Sequence, residues 1–103
     1  MIPTHPMKLI NIVANAALEE RLSDIAEVHA ASGYTVLDAR GAGSAGLQTG
    51  ALEGGSNILF MLVVPAARLD EVLADIERLM KRGHHLAVFI TDTQVLRPEK
   101  FSS

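Results

Sequence analysis

The sequence predicts an α+β domain of β-α-β-β-α-β order, with two helices covering one face of a four-stranded antiparallel sheet. Three observations carry this. Four short stretches rich in β-branched and aliphatic residues alternate with two stretches of helical apolar spacing. The elements fall into two β-α-β halves of about 50 residues, with no residue-level repeat between them. The 103 residues suffice for one core and leave no room for a second domain.

The start, Met1-Ile2-Pro3-Thr4-His5-Pro6, holds two prolines and reads as an irregular arm over residues 1–7. Lys8 to Ala14 is the first strand. Asn15 follows as a helix N-cap, since its side chain can accept a free backbone N–H. Leu18, Leu22, Ile25, Ala26 and His29 then fall on one helical face, which makes His29 a partly buried packing residue rather than a ligand. Gly33 can adopt the left-handed conformation that ends such a helix. Tyr34 to Arg40 is the second strand, and Asn57 to Val64 the third. Between them, residues 41–56 hold six of the eight glycines and read as a long loop without regular structure of its own. Pro65 stops the third strand, and Leu69, Val72, Leu73, Ile76, Leu79 and Met80 form the second helical stripe. Lys81 and Arg82 suit its C-terminal dipole and Gly83 ends it. Leu86 to Thr91 is the fourth strand, which closes a domain over residues 8–92, and residues 93–103 form a polar tail. The order is that of ferredoxin-like domains.

The third strand does not alternate apolar with polar. Ile58, Phe60, Leu62 and Val64 point one way, and Leu59, Met61 and Val63 the other. Two helices cover only one face, so the other reads as an interface with further copies of the chain, the alternative being a monomer with an unusually apolar sheet. Aromatics are only 4% of residues, so the core is aliphatic. A net charge of −3 argues against a general nucleic-acid binder. The absence of cysteine excludes disulfides and thiolate metal sites, and together with the missing signal pattern suggests a cytoplasmic setting.

Gly41-Ala42-Gly43-Ser44-Ala45-Gly46 spells G-x-G-x-x-G, but it leads from a strand back to a strand with no helix signal, so it is no dinucleotide fingerprint. Its successive glycines could still turn backbone N–H groups onto an anion. With Arg40 before them, Gly41, Ala42, Gly43 and Ser44 could surround one small planar anion. His84 and His85 are adjacent, so in an extended chain they diverge and chelate one ion poorly; no metal site is expected. With Lys81 and Arg82 they form a cationic turn able to meet phosphate. Ser44, Thr49 and Ser56 lie in the loop and Asp92 has no evident partner, so no nucleophile-base set emerges and the chain reads as a ligand sensor rather than an enzyme.

Gly33-Tyr34-Thr35-Val36, then Arg40-Gly41-Ala42-Gly43, then Val63-Val64-Pro65, over residues 7–97, resemble the PII signal-transduction family, and in particular its PII-like branch associated with carboxysomes and bicarbonate transporters. The resemblance implies a homotrimer of ferredoxin-like subunits that binds adenine nucleotide in clefts between them, with no covalent cofactor. It implies that residues 41–56 are a T-loop that contacts ligands and a regulated protein or transporter in inorganic-carbon or nitrogen metabolism. By position, Thr35 and Val63 resemble adenine-cleft residues and Gly41 and Gly43 the loop base near the phosphates, and Gly33 and Ser44 are expected in the same nucleotide site, although Ser44 stands where the family usually has arginine. Arg97 resembles a phosphate-facing tail arginine, and His85 takes the place of a family lysine. The loop lacks the family's tyrosine, and Glu99 stands where a second tail arginine is usual. Fewer cations favour ADP or AMP over ATP, and the resemblance adds bicarbonate as a candidate second ligand. A CutA-type or other ferredoxin-like trimer acting as a binding or structural module is the alternative.

Overall fold

The computed structural model describes residues 1–29, 33–41 and 56–100, the side chain of Lys100 excepted. Ala42, Gly43 and Ser44 of the expected anion loop, and most of the 41–56 segment, lie outside the described residues. The elements are β1 (His5–Asn15), α1 (Glu19–Val28), β2 (Thr35–Ala39), β3 (Asn57–Val64), α2 (Leu69–Lys81) and β4 (Ala87–Val95). One turn of 3-10 helix leads into each α-helix, at Ala16–Leu18 and Ala66–Arg68, and another spans Pro98–Lys100. The sheet runs β2-β3-β1-β4 with every neighbour antiparallel, which is the ferredoxin-like arrangement the sequence predicts.

Side-chain alternation places Ile58, Phe60, Leu62 and Val64 of β3, and Ile10, Ile12 and Ala14 of β1, beneath the helices, all at most 2% exposed. Leu18, Leu22 and Ala26 descend on them from the α1 side, and Val72, Ile76 and Leu79 from α2. Tyr34 extends this layer to the edge, stacked on Phe60 with ring centroids 4.7 Å apart. Met80, at the margin of the predicted α2 stripe, is instead exposed. Asn15 caps as expected, its Oδ1 accepting from the Ala17 N–H at 2.8 Å.

Three expectations are corrected. His5, Pro6 and Met7 are not part of an irregular arm; they extend β1, pairing with Val95, Gln94 and Thr93. The ladder with β3 ends at Lys8, so this stretch has one neighbour only and Pro6 needs no second partner for its missing N–H. Correspondingly, Asp92 to Val95 belong to β4, and the tail begins at Leu96. Lys8 and Asp92, opposite each other in that ladder, form an ion pair at 2.5 Å. Finally, Gly33 is not the left-handed stop of α1. That helix ends four residues earlier with His29 as its cap, and among the described glycines only Gly83, with φ of 98°, has positive φ.

Candidate functional site

The open face of the sheet is apolar at its centre. Leu59, Met61 and Val63 of β3 lie beside Leu9 and Val13 of β1, flanked by Leu37 on β2 and Phe89 on β4. Leu37 is 49% and Phe89 50% exposed in the single chain, although both are large and apolar. Asn11 sits among them on β1, 7% exposed, with Nδ2 donating to the Phe89 carbonyl at 3.3 Å.

The residues predicted to hold ligand divide between the two ends of this face. At one end β1 and β2 finish while β3 and β4 begin, since Val13 opposes both Leu59 and Ala87 and Ala39 opposes Asn57. Arg40 and Gly41 leave β2 here, and Ser56 returns the chain, its carbonyl accepting from the Ala16 N–H at 2.6 Å. The C-terminus of α2 delivers Lys81, Arg82 and His85 to the same end. Toward the other end lie Gly33 and Thr35 at the start of β2, Val63 at the finish of β3, and Arg97 beyond β4. Thr35 opposes Met61, so Thr35 and Val63 are diagonal neighbours on the open face. Along β3 the two ends are roughly 20 Å apart, at about 3.3 Å per residue. One chain therefore does not bring the predicted residues together.

The first end is anchored to the helices by contacts both near and far in sequence. Gly83 donates its N–H to the Met80 carbonyl and His84 to that of Leu79, which folds the turn back on α2. Arg21 of α1 reaches across with Nη1 3.2 Å from His84 Nε2. His29 also differs from a plain packing residue. Its Nε2 lies 2.6 Å from Oδ2 of Asp75, whose other oxygen meets Arg78, while Arg68 Nη1 donates to the His29 carbonyl at 3.1 Å. Sequence reasoning missed Arg21, Arg68 and Asp75, because their partners stand 39 to 63 residues away. Lys81 pairs loosely with Glu77 at 3.7 Å and Arg97 with Glu99 at 3.3 Å. Glu99's own backbone hydrogen bond, and then the Arg97 side chain, hold its carboxyl below the usual carboxylate range.

The family model for nitrogen regulatory protein P-II matches residues 7–100. The chain belongs to the P-II family. No curated protein matches it. Among solved structures it is similar to CPII, a nitrogen regulatory PII-like protein from Thiomonas intermedia K12. With CPII bound to ADP, AMP and bicarbonate it shares 29% identity at a TM-score of 0.88, covering 100% of both chains. For CPII bound to ADP and bicarbonate the identity is 29% and the TM-score 0.86, over 98% of this chain and 99% of that one. For CPII bound to ADP, AMP and acetate the figures are 27% and 0.86, over 99% and 100%. Among the described residues of this P-II family chain, no helix is long and apolar enough to cross a membrane, and no three His, Asp or Glu side chains are grouped to hold a metal ion.

Proposed function

We propose that this P-II family chain is a non-catalytic signalling protein that binds ADP or AMP between subunits of a homotrimer, with bicarbonate or another small anion at the base of the 41–56 loop. The observation that carries the reading is the division of the site residues between opposite ends of one open apolar face. A head-to-tail ring of identical subunits sets one end of each copy against the other end of the next. Arg40, Gly41, Gly43, Ser44, Lys81, Arg82 and His85 of one subunit would then face Gly33, Thr35, Val63 and Arg97 of its neighbour. The nucleotide chemistry is supported by CPII, which is similar over nearly its whole length and binds ADP, AMP and bicarbonate. In this assignment Thr35 and Val63 hold the adenine, the cations take the phosphates, and Arg40 with Gly41, Ala42, Gly43 and Ser44 takes the anion. The loop then reports occupancy to a regulated protein or transporter in inorganic-carbon or nitrogen metabolism.

The test combines light scattering with calorimetry. A mass three times the 11.0 kDa of one chain is expected, with saturable binding of ADP and AMP at least as tight as that of ATP. A monomer at micromolar concentration, or no heat with any adenine nucleotide, would place the chain with ferredoxin-like binding modules of another ligand.

A further inference from the structure

Three arginines line an open cleft between α1 and α2. Arg21 comes from α1, Arg78 and Arg82 from α2 and its end, and Ile25 and Leu79 form the floor of a space of about 260 Å³. Asp24 and Asp75 share the lining. Three guanidiniums against two carboxylates leave the lining with one positive charge in excess.

The local carboxylates answer only Arg78 and leave Arg21 and Arg82 without an ion pair. Asp75 is already shared, one oxygen toward His29 and the other toward Arg78. Asp24 forms no ion pair among the described residues. Lys8, Arg78, Lys81 and Arg97 are ion-paired, and Arg68 donates to a backbone carbonyl. Among the described side chains Arg21, Arg40 and Arg82 alone of the Lys and Arg residues have neither an acidic partner nor a carbonyl acceptor, and two of those three line this cleft. Arg21 is also held in place. A guanidinium only donates, so His84 Nε2 is the acceptor of the 3.2 Å contact, which fixes the Arg21 head at the mouth of the cleft.

We infer that this cleft, which shares only Arg82 with the proposed nucleotide site, is a second ligand site and that it takes a small organic acid. Guanidinium groups from two elements suit a carboxylate, which they bind through paired N–H donors. The Ile25 and Leu79 floor suits a short hydrocarbon body, and the volume lies below the roughly 300–1,000 Å³ of sites for larger ligands.

Succinate is the probe, titrated into the intact protein at constant ionic strength with chloride as the exchanged anion, while the Arg side-chain Nε–H signals are followed by NMR. Saturable millimolar binding that shifts the Arg21 signal is expected. Arg21→Gln should weaken it roughly tenfold or more, which is the loss of one charge-assisted hydrogen-bonding group. Arg21→Lys should fall between, keeping charge without the planar fork. Circular dichroism and the urea-unfolding midpoint should be nearly unchanged in both variants, which shows that they fold. Equal succinate binding in wild type and Arg21→Gln, or no saturation by about 100 mM, would overturn the inference. Succinate binding in a protein that fails to bind ADP would support this site while counting against the proposed nucleotide function.

Discussion

Arg97 and Glu99 stand two residues apart, and the carboxylate occupies the guanidinium that the proposed site assigns to phosphate. The two therefore act in opposite directions. Arg97→Ala should weaken ADP binding by about 1.5–3 kcal/mol, the usual loss for a hydrogen bond to a charged group. Glu99→Gln should tighten it by up to about fivefold, since only an exposed pair has to be broken. Isothermal titration of both variants checks this, and an unchanged ADP affinity in Arg97→Ala would remove the residue from the site. The depressed carboxyl of Glu99 sets the sign with pH. Its folded value lies below its unfolded one, so the ionised carboxylate, held first by its own backbone hydrogen bond and then by Arg97, stabilises the fold above the ordinary carboxylate range, and this is lost as pH falls through the lower, folded value. At the helix interface the stakes are higher, because His29 and Asp75 are 10% and 18% exposed. His29→Ala should cost about 1–3 kcal/mol in urea unfolding by leaving Asp75 short of a donor. A loss of only a few tenths would return His29 to the packing role its place on the α1 stripe suggests.

At the scale of elements, β3 has two apolar faces with different tasks. Phe60 is 1% exposed beneath the helices. Phe60→Ala should destabilise the subunit by about 3–5 kcal/mol, seen as a lower midpoint in denaturant. Leu59, the preceding residue, points to the open face. Leu59→Glu should leave secondary structure intact in circular dichroism and shift the light-scattering mass from three chains toward one, because a charge buried between copies has no partner there. If that variant kept the trimer mass, the open face would not be the contact between subunits. The extension of β1 to His5 and of β4 to Val95 belongs to the same scale. Each strand lengthens because the other offers it a ladder, and neither prolines nor polar residues in a local window reveal that.

For the whole molecule, the proposed nucleotide and anion sites meet at the base of one loop, so their binding must be reciprocal. An anion of four heavy atoms is limited to about 6 kcal/mol and is expected near 4 kcal/mol, which is millimolar affinity. Titrating ADP with bicarbonate exchanged for chloride at fixed pH should show tighter ADP binding, and ADP should tighten bicarbonate by the same factor. Independence of the two would make the loop a partner-binding arm only. Nucleotide at 100 times its dissociation constant should meanwhile stabilise the folded protein by about 2.7 kcal/mol.

Local chemistry decided much of this protein. Period-two and period-3.6 patterns located four strands and two helices, Asn15 announced its cap and Gly83 its stop, and the doubly apolar stretch 57–64 announced an open face. These features depend on a residue and its near neighbours, so one sequence carries them. The tertiary structure alone decided the rest. It joined Arg21 to His84 and His29 to Asp75, neither of which spacing could pair. It also separated Lys81, Arg82 and His85 from Thr35, Val63 and Arg97 by the length of a sheet. Chain order says which residues exist at each strand end, but only the antiparallel register says which ends coincide. That register divides the predicted site into two halves at opposite ends of one sheet.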